Sequence, residues 1–113
     1  MTSLKNSVQL IGRLGNEPEV RTFESGKKMA TFSLATNETY YNNKGEKVTD
    51  TQWHNIVVWG KKADVVENYL NKGSEIAMEG KLLNRSYEKD GETKYITEIS
   101  LNELLMMGKK DQS

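Results

Sequence analysis

Apolar and polar residues alternate with a period of two along most of this chain, as in strands that bury one face. From Ser7 to Leu14 the positions Val8, Leu10, Gly12 and Leu14 fall on one parity. Leu14-Gly15-Asn16-Glu17-Pro18, which holds the only proline, reads as the turn that ends this strand. A short segment from Glu19 to Phe23 runs into a second turn, Glu24-Ser25-Gly26-Lys27. Lys28 to Tyr41 then reads as a long strand with Phe32 and Leu34 on a shared face. Past the polar tip Asn42–Lys47 the chain returns from Val48 to Trp59. The period changes to that of a helix at Lys61–Asn71, where Val66, Tyr69 and Leu70 cover one side. Gly73 supplies the stop, with Lys72 placed in the last turn. Two more strands, Glu75–Glu88 and Glu92–Leu101, are joined by Lys89-Asp90-Gly91-Glu92, a tight-hairpin sequence.

With Glu19–Tyr41 taken as one bent or interrupted strand, the order is three strands, a helix and two strands. That is the layout of an all-β OB-fold: a five-stranded Greek-key barrel with one α-helix between strands 3 and 4. Gly12, Gly60 and Gly80 sit where a small barrel needs bends or close backbone approach. There is no linker or internal repeat, so a single domain is expected over residues 1–108, followed by a short polar end at 109–113. The chain's 113 residues, 35% hydrophobic and 28% charged, suit one modest core. No apolar run is long enough to span a bilayer, and the N-terminus turns polar too soon for a signal peptide. A cytoplasmic location without membrane attachment is therefore expected. The absence of cysteine removes disulfides, thiolate nucleophiles and cysteine-based zinc sites. Sixteen basic residues balance sixteen acidic ones. A nucleic-acid partner must therefore be argued from local arrangement, not from net charge.

The aromatic residues supply that arrangement. Trp53 and Trp59 lie six apart and share a side of their strand with Asn55 and Val57, while His54, Ile56 and Val58 take the other, more apolar side. If the second side is the core, both indoles face outward. In the next strand Lys81, Arg85 and Tyr87 share one parity and Met78 and Leu82 the other. Outward rings with neighbouring cations form a base-stacking surface with phosphate contacts. The candidate phosphate contacts are Lys5, Arg13, Arg21, Lys28, Lys61, Lys72, Lys81 and Arg85; Lys44, Lys47, Lys89 and Lys94 read as solvated surface. Strict alternation puts Tyr40 with Phe32 and Leu34, so an outward Tyr40 requires a bulge or a strand end. His54, the only histidine, reads as a hydrogen-bonded structural residue at a subunit contact. No phosphate loop, metal motif or nucleophile elbow is present, so neither a catalytic residue nor a cofactor is expected.

Several segments, in order, resemble bacterial single-stranded DNA-binding proteins. Leu14-Gly15-Asn16-Glu17-Pro18-Glu19-Val20-Arg21 is similar to that family's first turn, and Leu34-Ala35-Thr36-Asn37-Glu38-Thr39-Tyr40 to its third-strand segment. Thr51-Gln52-Trp53-His54-Asn55-Ile56-Val57-Val58-Trp59-Gly60-Lys61 resembles its Trp-His strand and the opening of its helix. Tyr69-Leu70-Asn71-Lys72-Gly73-Ser74 and Glu79-Gly80-Lys81-Leu82 continue the match. The resemblance implies an OB-fold homotetramer that binds and protects single-stranded DNA in replication, recombination and repair. Its stacking aromatics correspond to Tyr40, Trp53, Trp59 and Tyr87, its phosphate contacts to Arg21, Lys61, Lys72, Arg85 and Lys5, and its subunit contacts include His54. Tyr40 and Tyr87 stand where the family often has Trp, and Asn55 where Arg is common. The sequence stops at Gly108-Lys109-Lys110-Asp111-Gln112-Ser113, without the family's linker and acidic tail. Recruitment of replication and repair enzymes through such a tail is therefore not an expectation for this chain. The rival readings are an OB-fold protein-interaction module with weak nucleic-acid binding, and an RNA-binding OB domain.

Overall fold

The computed structural model describes residues 5–107. Along the chain come β1 (Val8–Leu14), β2 (Glu19–Thr22), β3 (Lys28–Tyr41), β4 (Lys47–Trp59), α1 (Lys61–Tyr69), β5 (Glu75–Lys89) and β6 (Glu92–Met106). The sheet runs β1-β5-β6-β4-β3, and β1 meets β3 at Arg13–Ala35 and Leu14–Leu34, closing a five-stranded barrel. Its pairings are antiparallel except β4 with β6, which run parallel at Ile56–Ile99 and Val57–Ser100. This is the OB-fold expected from the element order, with α1 between the third and fourth barrel strands.

Alternation decides what enters the barrel. Ala30, Phe32 and Leu34 of β3 meet Ile56 and Val58 of β4, and Ile76, Met78, Ile99 and Leu101 complete the interior. Ala63, Val66 and Leu70 from the helix region join the same core. A nine-residue helix without a side-chain N-cap bond is not stable alone, so this burial is what holds it. Gly12 and Gly80 are required by close approach: a Cβ would overlap the Ala35 carbonyl oxygen at one and the Ser100 carbonyl oxygen at the other. The β5–β6 turn has positive φ at both Asp90 (54°) and Gly91 (80°), the type I′ geometry expected of Asp-Gly.

Three expectations are corrected. Glu19–Thr22 is not a bent extension of β3. It folds back antiparallel on it, from Glu19–Thr31 to Thr22–Lys28, because the chain reverses where the Phe23 N–H donates to the Lys27 carbonyl (2.8 Å). The helix ends at Tyr69, so Lys72 lies outside its last turn. Leu70 leaves helical geometry (φ −107°, ψ 140°) to bury its side chain, and Asn71–Ser74 form a turn closed by Ser74 N–H to the Asn71 carbonyl (2.9 Å). The last strand continues past Leu101 to Met106. Gly80 pairs with Leu101 but Glu79 with Glu103, so Asn102 is an extra residue and the inward parity passes from Leu101 to Leu104. The polar end expected at 109–113 lies outside the described residues.

Candidate nucleic-acid interface

The outward side of the barrel is built from cross-strand rows. Arg21 of β2, Met29 of β3 and Trp59 of β4 form one row. Glu19, Thr31, Val57, Ser100 and Lys81 form the next, and Ser33 pairs with Asn55 beyond it. Ala35 pairs with Trp53, and on β5–β6 Arg85 pairs with Ile96 and Tyr87 with Lys94. Trp53 and Trp59 are 62% and 44% exposed, as the parity of β4 requires if Ile56 and Val58 are core. Their backbone positions are six residues apart along one strand, roughly 20 Å at about 3.3 Å per residue. Val57, between them, departs from expectation. It is buried, although it does not belong to the core cluster, and with Ile96 it forms the apolar part of a groove between the indoles whose other lining includes Asn55, Glu19 and Glu98.

The two indoles are held differently. The Trp53 ring lies against Gly15, where a Cβ would overlap it, and the Ser33 hydroxyl flanks the same spot. That turn is docked by the Gly15 N–H to the Ser33 carbonyl (2.9 Å), and by Asn16 Oδ1, which accepts from the Ser33 N–H (2.9 Å) and hydroxyl (2.7 Å). The Leu-Gly-Asn-Glu-Pro segment therefore supports Trp53 from below. Trp59 instead stacks on Phe23, with ring centroids 5.8 Å apart and planes at 24°, and the Lys27 ammonium lies 5.7 Å from its centroid. On β5, Arg85 Nη2 donates to Glu98 Oε2 at 2.7 Å. This bond to a buried carboxylate raises the guanidinium's pKa above its ordinary value and aims the exposed head group across the outward face.

The predicted residues fall into groups. Trp53, Trp59, Lys81, Arg85, Tyr87 and Arg21 share the outward side. Lys61 opens α1 just beyond Trp59, and Lys5 is an exposed residue of the N-terminal turn. Lys28 points the other way: its ammonium donates to Asp64 Oδ1 and Glu67 Oε1, both at 2.6 Å. Arg13 donates to the Gly73 carbonyl (3.0 Å) and lies 3.6 Å from Glu75. Lys72 sits in the turn after the helix, where its N–H meets Glu17 Oε2 at 3.2 Å. Tyr40 keeps the parity of Leu34, opposite to Trp53, with no bulge to turn it. The β3–β4 ladder stays regular, and Tyr40 is 53% exposed because the hairpin runs on past the barrel. On that ladder Tyr41, at 70% exposure, is the residue sharing the parity of Trp53, and sequence reading missed it. Phe23 was missed as well, since only the turn reversal brings it to Trp59. His54 is half-buried at the barrel rim, with Nε2 3.1 Å from Thr36 Oγ1.

Residues 5–107 match the single-strand binding protein family. The chain belongs to this family. A single-stranded DNA-binding protein of Chlorobaculum tepidum is 45% identical over 94% of this chain and 67% of its own length. One from Neisseria meningitidis is 40% identical over 96% of this chain and 63% of its own length. The chain thus spans about two thirds of the length of these relatives. Its fold superposes on the Plasmodium falciparum SSB, solved in complex with ssDNA, with a TM-score of 0.84 and 38% identity over 96% of this chain and 98% of that one. The single-stranded DNA-binding protein of Thermus aquaticus gives a TM-score of 0.79 at 28% identity, over 91% of this chain and 50% of that one. Among the described residues of this family member, no helix is long and apolar enough to cross a membrane, and no acid or histidine cluster could hold a metal ion.

Proposed function

We propose that the protein binds single-stranded DNA with little sequence preference, keeping unpaired strands apart and protected during replication, recombination and repair. The observation that carries this is the pair of outward indoles on β4 with Arg85 and Tyr87 beside them, in a fold that superposes on a family member solved with ssDNA. Bases stack on Trp53, Trp59 and Tyr87, and on Tyr40 along the hairpin. Each stacked ring is worth roughly 1–3 kcal/mol and accepts any base, because every base has a π-face. Arg21, Lys61, Lys81 and Arg85 follow the phosphates. Arg13 and Lys28 are weaker candidates, since their side chains are engaged around the helix and its flanking turn, whereas Lys72 is fixed there through its backbone N–H alone. No catalytic step is proposed, in keeping with relatives named as binding proteins. The protein works as a homo-oligomer, a homotetramer by analogy with its family, in the cytoplasm or at the nucleoid. His54 is placed at the subunit contacts.

The test is tryptophan fluorescence during titration with oligo-dT at low and high salt, with oligo-rU and duplex DNA as competitors. Strong quenching by oligo-dT, weakened by salt and reduced in Trp53→Ala, where Trp59 alone still reports, is the expected result. A folded protein whose fluorescence ignores oligo-dT would overturn the proposal and favour a protein-interaction module.

A further inference from the structure

The turn between β2 and β3 is built so that two side chains meet Trp59. The Phe23 N–H donates to the Lys27 carbonyl and the Gly26 N–H to the Phe23 carbonyl, both at 2.8 Å. Phe23 and Lys27 thus lie opposite each other, one position beyond the Thr22–Lys28 pair, on the parity of Arg21 and Met29. That is the outward side, one column from Trp59. The Phe23 ring stacks on the indole at 5.8 Å, within the 4.5–7 Å range where aromatic pairs attract beyond simple burial. An indole has two faces, so a base stacking on Trp59 takes the one Phe23 leaves open. The two adjacent lysines have separate surroundings. Lys28, on the inward parity, is held by Asp64 and Glu67. Among the described residues Lys27 has no carboxylate partner, and its ammonium lies over the Trp59 ring, 5.7 Å from the centroid, a contact its flexible side chain exchanges for a phosphate when a base takes the ring.

We infer that the Phe23–Lys27 turn is a further part of the strand-binding surface. Phe23 positions the Trp59 indole by covering one of its faces, and Lys27 contacts the phosphate of the nucleotide stacked on the other. This inference rests on the single-stranded DNA reading above. A shielding role for Phe23 would need only apolar bulk, whereas a positioning role needs a flat ring.

The experiment uses the full chain carrying Trp53→Phe, which leaves Trp59 as the sole tryptophan. Phe23→Ala, Phe23→Leu, Phe23→Tyr and Lys27→Gln are compared with that parent for oligo-dT affinity, fluorescence anisotropy of the free protein and melting temperature. Phe23→Ala and Phe23→Leu are expected to weaken binding about two- to tenfold, the size of one stacked pair. Both should lower the Trp59 anisotropy, and Phe23→Tyr should restore both readings. If Phe23→Ala unfolds, Phe23→Leu carries the test. Lys27→Gln is expected to make the slope of log affinity against log salt shallower by about 0.7, one phosphate contact on a single strand. Parent-like binding and anisotropy in Phe23→Leu would overturn the positioning role, and an unchanged slope in Lys27→Gln would overturn the phosphate contact. A folded parent that oligo-dT does not quench would instead overturn the DNA reading itself, and this inference with it.

Discussion

Because a Cβ at Gly15 would overlap the Trp53 ring and the Ser33 hydroxyl, the smallest substitution there acts on the indole and not on the core. Trp53 is exposed and can swing, so Gly15→Ala should lower the melting temperature by only a few degrees. It should weaken oligo-dT binding by up to roughly 1–3 kcal/mol, the contribution of one stacked base. The check is a double-mutant cycle with Trp53→Ala. If Gly15 acts through the indole, the double variant binds no worse than Trp53→Ala alone, and additive losses would refute that link. At this scale the stacking face was legible in part. Trp53, Trp59, Arg85 and Tyr87 follow strict alternation because β4 and the arm of β5 beyond the Asn102 bulge of β6 keep their register. The Phe23–Trp59 stack was not legible, since it depends on a chain reversal that alternation does not encode. Nor was the position of Tyr40. Parity says which way a residue faces but not where a hairpin leaves the barrel and exposes both of its sides.

Among the elements, α1 depends most on its neighbours. It packs through Ala63 and Val66, and Lys28 of β3 ties it down with bonds to Asp64 and Glu67. Those bonds raise the Lys28 pKa above its ordinary 10.5, the hydrogen bond Lys28 donates to Asp64 contributing most. A group with a raised folded pKa adds stability that is complete below its unfolded value and is lost as pH rises through the folded one. Melting followed by circular dichroism should therefore show the wild type more stable than Lys28→Met at neutral pH. That gap should stay constant to about pH 10 and close above it. A gap that is absent at pH 7, or unchanged well above pH 11, would mean the ion pairs hold nothing. The strands, the helix and the Asp-Gly turn could all be read from periodicity and turn chemistry. The reversal of β2 could not, because four residues are too few for alternation to say which strand they pair with. The last third of β6 was lost for a different reason: the extra residue at Asn102 shifts the inward parity and breaks the pattern.

For the molecule as a whole, one surface remains apolar and away from the stacking face. Ile11 is 58% exposed and Leu105 71%, and they flank Ala77 on the outward side of β1, β5 and β6. The β1 edge beside them is open. Among the described residues β1 meets β3 only at Arg13 and Leu14, so Val8–Gly12 is paired there with β5 on one side alone. An exposed edge next to apolar side chains is a template for strand pairing. A second copy offers a self-complementary partner, since a two-fold axis brings the same patch against itself. Such an interface leaves Trp53, Trp59 and Tyr87 uncovered, so assembly and strand binding are separable. Full burial of each side chain is worth roughly 1.5–3 kcal/mol, and the two-fold axis counts each twice. In the homo-oligomer proposed above, only the exposed part of each side chain is left to bury, so replacing both Ile11 and Leu105 with Glu removes at most roughly 4–8 kcal/mol of association and adds charge to the seam. In sedimentation at micromolar concentration, Ile11→Glu/Leu105→Glu should fall to a smaller species than the wild type. Its affinity for an oligo-dT short enough to occupy one protomer should be unchanged. An assembly of undiminished mass would place the subunit contacts elsewhere, with the His54 rim as the next surface to vary. A smaller species that has also lost short-oligonucleotide binding would mean that the stacking face is completed only within the oligomer.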